Sequence, residues 1–170
     1  MPARLLIEAR PGAGKTTALS RLAERLRDGG VAPSGFLTRE MRQSGRRVGF
    51  EIETFAGERG VLAHVDIRGS PRVGRYGVDL EEFERLALPA LEAPASVVLI
   101  DELGKMELAS ERFREAVLAL FERPAPIVAT VHTARHPFTN ELKRRSEVST
   151  IRLTAANRDR LPAEVAERLL

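Results

Sequence analysis

"EARPGAGKTT", residues Glu8–Thr17, decides how the rest of the chain is read. Ahead of it, "ARLLIEA" is apolar enough for a buried strand. Behind it, Ala18, Leu19, Leu22, Ala23 and Leu26 recur at helical spacing until "DGG", Asp28–Gly30, stops the pattern. A chain passing from strand to helix through Gly12 and Gly14 turns sharply and leaves backbone N–H groups uncovered. The two glycines permit φ values that gather those groups into one anion-binding concavity. The helix beginning near Lys15 points the positive end of its dipole at the same spot. Ala9, Arg10, Pro11, Gly12, Ala13, Gly14, Lys15, Thr16 and Thr17 therefore form a candidate phosphate-binding loop, with alanine at position 9 where such loops usually open on glycine. Ala9 is compatible with the loop if its φ is negative. Lys15 offers a mobile ammonium to the β- and γ-phosphates, and Thr16 a hydroxyl ligand for Mg²⁺. A glycine-rich turn carrying a lysine by chance is the bland alternative, but it gives no reason for strand, loop and helix to fall in this order.

A triphosphate site also needs a carboxylate near the metal, at the carboxyl end of a neighbouring strand. "VVLIDE" supplies one: Asp101 to hold Mg²⁺ through water, and Glu102 to polarise a water aimed at the γ-phosphorus. Taken alone, two adjacent carboxylates could equally be a helix N-cap cluster; paired with the loop, they read as catalytic. Arg72 and Arg75, in "SPRVGRYG", are candidate internal arginine fingers, with Arg39 a weaker one. Thr130 and His132 close the strand "IVATVH" and are candidate γ-phosphate sensors, although a structural loop histidine is an equal reading of His132. Tyr76 could stack on a base, but packing is the simpler role. Lys105 neutralises nearby acids, and His64 and His136 have no metal-ligand spacing.

The 170 residues, 43% of them hydrophobic, suit one globular domain spanning residues 1–170. No apolar run approaches the roughly 20 residues of a membrane span, no secretory leader is expected, and the absence of cysteine excludes disulfides and thiolate metal sites. A cytoplasmic protein is the expectation. The net charge is +3, lysine occurs only at 15, 105 and 143, and acids are interleaved with arginines as on solvated helix faces. Nucleic acid is not an expected partner, because basic and aromatic residues are not interleaved for base stacking. A monomer is expected.

Along the chain, "GFLTREMR" and "RRVGFEIET" flank the turn "QSG" as a hairpin, and "GVLAHVDI" adds a strand. "RGSPRVGRYGV", residues 68–78, is too rich in Gly and Pro for a regular element. "DLEEFERLALPALEA" is a helix capped by Asp79, with Leu80, Phe83 and Leu86 inward. "SERFREAVLALFER" is a second amphipathic helix, "APIVATVH" a buried strand, "NELKRR" a short helix, "VSTIRLT" a strand and "NRDRLPAEVAERLL" a closing helix. Continuously apolar strands alternating with amphipathic helices predict an α/β fold: a mostly parallel sheet, helices on both faces, and an antiparallel hairpin at one edge.

"PGAGKTT", "GFLTREMR" with "RRVGFEI", "GSPRVGRYGVDLEEFERLALPAL", "VVLIDELGKMEL", "VATVHTARHPFTNELKRR" and the closing "NRDRLP" together resemble the small P-loop nucleoside-triphosphatase family first described from thermophiles. The resemblance covers almost the whole chain, and "IDELGKMEL" with "PRVGRYGV" is its specific part. It implies a three-layer P-loop fold and Mg²⁺-dependent hydrolysis of ATP, GTP, CTP and UTP to diphosphate and phosphate. Lys15 and Thr16 match the family's phosphate and metal contacts, and Asp101 and Glu102 its second motif. A nucleotide or small-molecule kinase is the alternative, since the same loop serves phosphoryl transfer, although no acceptor pocket is recognisable in the sequence. A nucleic-acid-dependent ATPase is a third.

Overall fold

The computed structural model describes residues 2–170. Its strands join in one nine-stranded sheet, with β1 (Arg4–Ala9), β2 (Ser34–Gln43), β3 (Arg46–Thr54), β4 (Arg59–His64), β5 (Arg72–Val73), β6 (Tyr76–Val78), β7 (Val98–Ile100), β8 (Ile127–His132) and β9 (Ser149–Arg152) in the order β5-β6-β4-β3-β2-β7-β8-β1-β9. From β2 to β9 every pairing is parallel, and from β2 to β5 every pairing is antiparallel. The antiparallel part is thus larger than expected: β3 completes the hairpin and "GVLAHVDI" supplies β4, and the short strands β6 and β5 extend the sheet further.

The helices are α1 (Lys15–Asp28), α2 (Leu80–Glu92), α3 (Glu111–Phe121), α4 (Pro137–Arg144) and α5 (Leu161–Leu169). Because side chains alternate along a strand, β1 sends Leu6 to one face and Leu5 and Ile7 to the other. On the first face α2, α3 and α4 supply Phe83, Leu86, Phe113, Val117 and Leu142; on the second, α1 and α5 supply Leu19, Leu22, Leu26 and Val165. This is the three-layer α/β arrangement the strand and helix alternation predicts. The larger core centres on three fully buried rings, with Phe83 and Phe113 centroids 4.9 Å apart and Phe36 5.7 and 5.8 Å from them. Burial contributes about 1.5–3 kcal/mol per ring, and each edge-on pair about 0.5–1.5 kcal/mol more. These rings tie β2, α2 and α3 together beneath the site.

Local signals explain the helix starts. Asp79 caps α2 by accepting from Glu82 N at 3.0 Å, as expected, and Ser110 caps α3 by accepting from Phe113 N at 3.0 Å. Three boundaries differ from expectation. Residues 68–78 are not wholly irregular: Arg72 and Val73 pair with Gly77 and Tyr76 in a miniature hairpin, anchored because Tyr76 is buried against Phe50 at 5.4 Å. The "NELKRR" helix begins earlier, at Pro137, whose fixed φ suits a first turn. There the His136 imidazole serves as the cap, accepting from Phe138 N at 3.1 Å. The closing helix begins later, at Leu161, because Asn157 is occupied in a turn, accepting from Thr154 N at 2.8 Å and donating to Arg152 O at 2.7 Å. Among the described residues, no helix is long and apolar enough to cross a membrane.

Candidate active site

The parallel strands β1, β8 and β7 lie side by side, with Ala9 opposite His132 and Ile100 opposite Ala129. Their carboxyl ends therefore open at one rim of the sheet, where ligands of such folds bind. The loop after β1 has the backbone that its glycines allow: φ is +78° at Gly12 and +98° at Gly14, and Gly14 caps α1 in the left-handed region. Ala13 N donates to Arg10 O at 3.2 Å, closing the turn. Ala9 is buried in the core below the loop. Its φ is not positive, because Ser44 is the sole non-glycine with positive φ among the described residues, so the alanine meets the condition its position sets. Arg10, Pro11, Gly12 and Thr17 are exposed, whereas Ala13 packs partly on the core.

Lys15 reaches back over the loop, donating to Ala9 O at 3.3 Å and lying 2.9 Å from Glu102 Oε2. That carboxylate oxygen is shielded and accepts no hydrogen bond of normal geometry, so Lys15 is its partner by charge alone. Asp101 is 2% exposed. Its Oδ1 accepts from Thr130 Oγ1 at 2.6 Å, and its Oδ2 from Thr16 Oγ1 at 2.6 Å and Thr38 N at 3.5 Å. Burial pushes the Asp101 carboxyl up to about 6, further raised by the Glu102 charge and opposed by the two threonine hydroxyls and the Thr38 amide. The Asp101–Glu102 peptide is cis.

The loop and the two carboxylates, far apart in sequence, thus meet at one cleft of 690 Å³, within the usual range for ligand pockets. Gly12, Gly14, Lys15, Thr16, Thr17, Asp101 and Glu102 all line it. Arg72 and Arg75 do not. The Arg72 guanidinium donates to Ile67 O and Arg75 O, both at 2.8 Å, while Arg75 donates to Arg47 O and to Tyr76 Oη at 3.2 Å. The arginines lining the cleft are Arg39, Arg47 and Arg135. Tyr76 is no base platform: it is buried, with the guanidiniums of Arg47 and Arg75 5.7 and 5.2 Å from its ring centre. Thr130 is fully buried and committed to Asp101. His132 lines the cleft, but its Nδ1 accepts from Ala134 N at 2.7 Å, a loop-forming bond. Lys105 is exposed at the rim.

Sequence reasoning missed Glu107. It is buried, lines the cleft and accepts from Gly104 N at 3.2 Å. Burial, with the nearby Glu102 charge, holds its carboxyl well above the ordinary range. The signal was a third acid in "DELGKME", five positions after Glu102. Glu8 was also missed: it sits between Lys143 of α4 and Arg152 of β9, the latter at 2.7 Å, and clamps both elements to β1 just before the loop.

Known proteins share this architecture across nearly the whole chain. A nucleoside-triphosphatase THEP1 from a Thermotoga strain is 40% identical over 165 residues, covering 95% of this chain and 92% of that one. The human cancer-related nucleoside-triphosphatase is 37% identical over 181 residues, covering 97% and 95%. The crystal structure of THEP1 from the hyperthermophile Aquifex aeolicus superposes with a TM-score of 0.88 at 34% identity, covering 98% of each chain. The family described as NTPase matches residues 4–166. With the match spanning the sheet from β1 to α5, this chain belongs to the NTPase family.

Proposed function

We propose that this chain is a nucleoside-triphosphatase that hydrolyses ATP, GTP, CTP and UTP to diphosphate and phosphate with Mg²⁺. The observation that carries the proposal is the meeting of Lys15 and Thr16 with Glu102 and Asp101, at 2.9 and 2.6 Å, across the ends of β1 and β7. The names of the relatives support the reaction class. Breadth of base use rests on the family resemblance.

The metal assignment rests on donor chemistry. Thr16 and Asp101 bring two hard oxygens together, and no cluster of three His, Cys, Asp or Glu able to hold a metal occurs among the described residues. So sparse an oxygen set suits Mg²⁺, which is commonly held by one or two protein oxygens plus substrate phosphates and water. Bound there by Thr16 and Asp101, Mg²⁺ would supply positive charge that offsets the charge of the phosphates.

The chain's own residues do the rest. The amides around Gly12 and Gly14 and the start of α1 cradle the phosphates. Lys15 exchanges Glu102 for phosphate oxygen and neutralises charge that develops on the bridging oxygen. Glu102, released from Lys15, orients a water and accepts its proton as the water oxygen bonds to the γ-phosphorus and the bond to the β-phosphate oxygen breaks. Thr130 and Thr38 fix the Asp101 carboxylate so that it does not rotate into the path. Phosphate release from each of the four triphosphates, with Mg²⁺ and with a chelator, tests the proposal. Chelator-insensitive release, or none from any triphosphate, overturns it.

A further inference from the structure

Glu107 is a buried acid that the hydrolytic scheme leaves unused. It is 3% exposed, and the charges acting on it are those of Glu102 and Asp101, both negative. A carboxyl kept in such a place is held against its own solvation and against repulsion by its neighbours. An apolar side chain of similar length would fill the space without either cost, so packing alone does not account for an acid there.

What Glu107 holds is the turn directly after the candidate base. Its Oε2 accepts from Gly104 N at 3.2 Å. The same turn is tied by Leu103 N, which donates to Thr130 O at 2.9 Å, and by Gly104 O, which accepts from Leu108 N at 2.8 Å. Of these ties, the Glu107 bond is the one made by a side chain. Gly104 in turn lies against both carboxyls: a Cβ there would come 2.9 Å from Glu102 Oε1, 3.1 Å from Glu102 Cδ and 3.0 Å from Glu107 Oε2. The Glu102 carboxylate thus occupies the space that a side chain at 104 would take, and it rests on the backbone that Glu107 fixes.

That support matters once phosphate binds. Glu102 Oε2 is held by Lys15 at 2.9 Å and accepts no hydrogen bond of normal geometry. When the ammonium turns to the γ-phosphate this restraint goes, while the contact of Oε1 with Gly104 still stands. We propose that Glu107 is a positioning residue for the hydrolysis: by holding Gly104 N it sets the turn on which the Glu102 carboxylate rests, and so keeps that carboxylate aimed at the attacking water after Lys15 has left it. The inference rests on the reading of Glu102 as the base and deepens it. Misplacing a reacting group by about 1 Å costs on the order of 10²-fold in rate, so a single bond behind the base is enough to matter.

Glu107→Met removes the acceptor and keeps the volume, whereas Glu107→Gln keeps an acceptor for Gly104 N. Single-turnover phosphate release gives the rate, calorimetry the affinity for Mg²⁺–ATPγS, and circular dichroism the fold. Glu107→Met lowers the rate at least about tenfold while the affinity stays within about threefold, and Glu107→Gln returns the rate to within about threefold of wild type. In a Glu102→Gln background Glu107→Met lowers the rate less than about threefold, because its effect passes through the missing base. Gly104 has no positive φ, so Gly104→Ala meets no backbone strain and presses on the Glu102 carboxylate directly. It lowers the rate at least about tenfold, and it keeps the test open should Glu107→Met fail to fold. A wild-type rate in Gly104→Ala or in folded Glu107→Met overturns the positioning role. So does a Glu107→Gln as slow as Glu107→Met, or an equal loss with and without Glu102. If Glu102→Gln itself keeps the wild-type rate, the reading of Glu102 as base falls and this inference with it; if Glu102→Gln is slow, those outcomes strike this inference alone.

Discussion

Lys15 Nζ and Glu102 Oε2 stand 2.9 Å apart, so the candidate phosphate-binding cation and the candidate base neutralise each other across the cleft. An incoming γ-phosphate has to compete with Glu102 for Lys15. Binding and base activation are then one event: as phosphate takes the ammonium, the carboxylate loses its counter-charge and becomes the better proton acceptor. The same pairing holds Glu102 in place when its Oε2 has no other donor.

Glu102→Gln separates the two roles. The amide cannot accept the water proton, so kcat falls about 10²–10⁴-fold. It also no longer competes as an anion for Lys15, so Mg²⁺–ATPγS binds as tightly as to wild type or more tightly. Single-turnover phosphate release and calorimetry measure the two quantities. An unchanged kcat removes Glu102 from the mechanism.

Lys15→Ala removes phosphate binding and charge stabilisation together. A loss of about 10²–10³ in kcat/KM, equivalent to about 2.7–4 kcal/mol, is expected for one preorganised donor of this kind. It also leaves the shielded Glu102 oxygen without its charge partner. Double mutation with Glu102→Gln therefore costs less stability than the two single effects summed, as urea denaturation of the four proteins shows.

The parts of this site legible in the sequence were those fixed by local chemistry. Gly12, Gly14 and Lys15 announce a loop because backbone geometry alone demands them, and Asp101 and Glu102 stand out where an apolar strand stops. Partners set by distant register were not legible. Thr130 on β8 bonds Asp101 because β7 and β8 run in parallel register, and nothing near position 130 announces that neighbour. Arg72 and Arg75 looked free in a Gly- and Pro-rich segment, yet the β5–β6 hairpin gives their guanidiniums carbonyls to bind. Of the four antiparallel strands beyond β2, β3 and β4 were legible as strands but β5 and β6 were not, because they are too short for a period of two to show.

Arg72→Ala and Arg75→Ala, made separately, distinguish a catalytic finger from a hairpin clamp. A finger lowers kcat about 10³-fold or more with little change in Tm. Given their carbonyl bonds and their absence from the cleft lining, the expected outcome is a lowered Tm with kcat within about threefold of wild type. A large kcat loss at unchanged Tm would show that the hairpin swings over the phosphate.

Asp101 makes stability and metal binding depend on pH in opposite senses. Its carboxyl ionises near 3.8 in an ordinary setting and near 6 in the fold, so across that window the folded chain holds a proton that the unfolded chain has released. This contribution is fully present below 3.8, and it is lost as pH rises through 6. The difference is worth about 3 kcal/mol. Urea denaturation of the metal-free protein shows the decline, and Asp101→Asn removes the Asp101 share of it, leaving that of the buried Glu107. Mg²⁺ requires the carboxylate, so Mg²⁺–nucleotide affinity falls about tenfold per pH unit below that point; a flat Mg²⁺ titration between pH 5 and 7 refutes the assignment.

Gly35 joins the two halves of the sheet. It pairs with Leu99 of β7 at a φ of +102°, and a Cβ there would lie 1.8 Å from Leu99 O. Both the conformation and the space exclude a side chain. Gly35→Ala must push β2 from β7, and Asp101 is disturbed with it, because Phe36 O accepts from Asp101 N at 3.1 Å. The substitution is therefore expected to destabilise by about 3 kcal/mol or more and to lower Mg²⁺-dependent hydrolysis even in whatever fraction remains folded, since Asp101 is displaced with its strand. Urea denaturation and phosphate release normalised to folded protein measure the two effects. A variant of wild-type stability would mean that β2 and β7 are not in this register, and the placement of Thr38 beside Asp101 would fall with it.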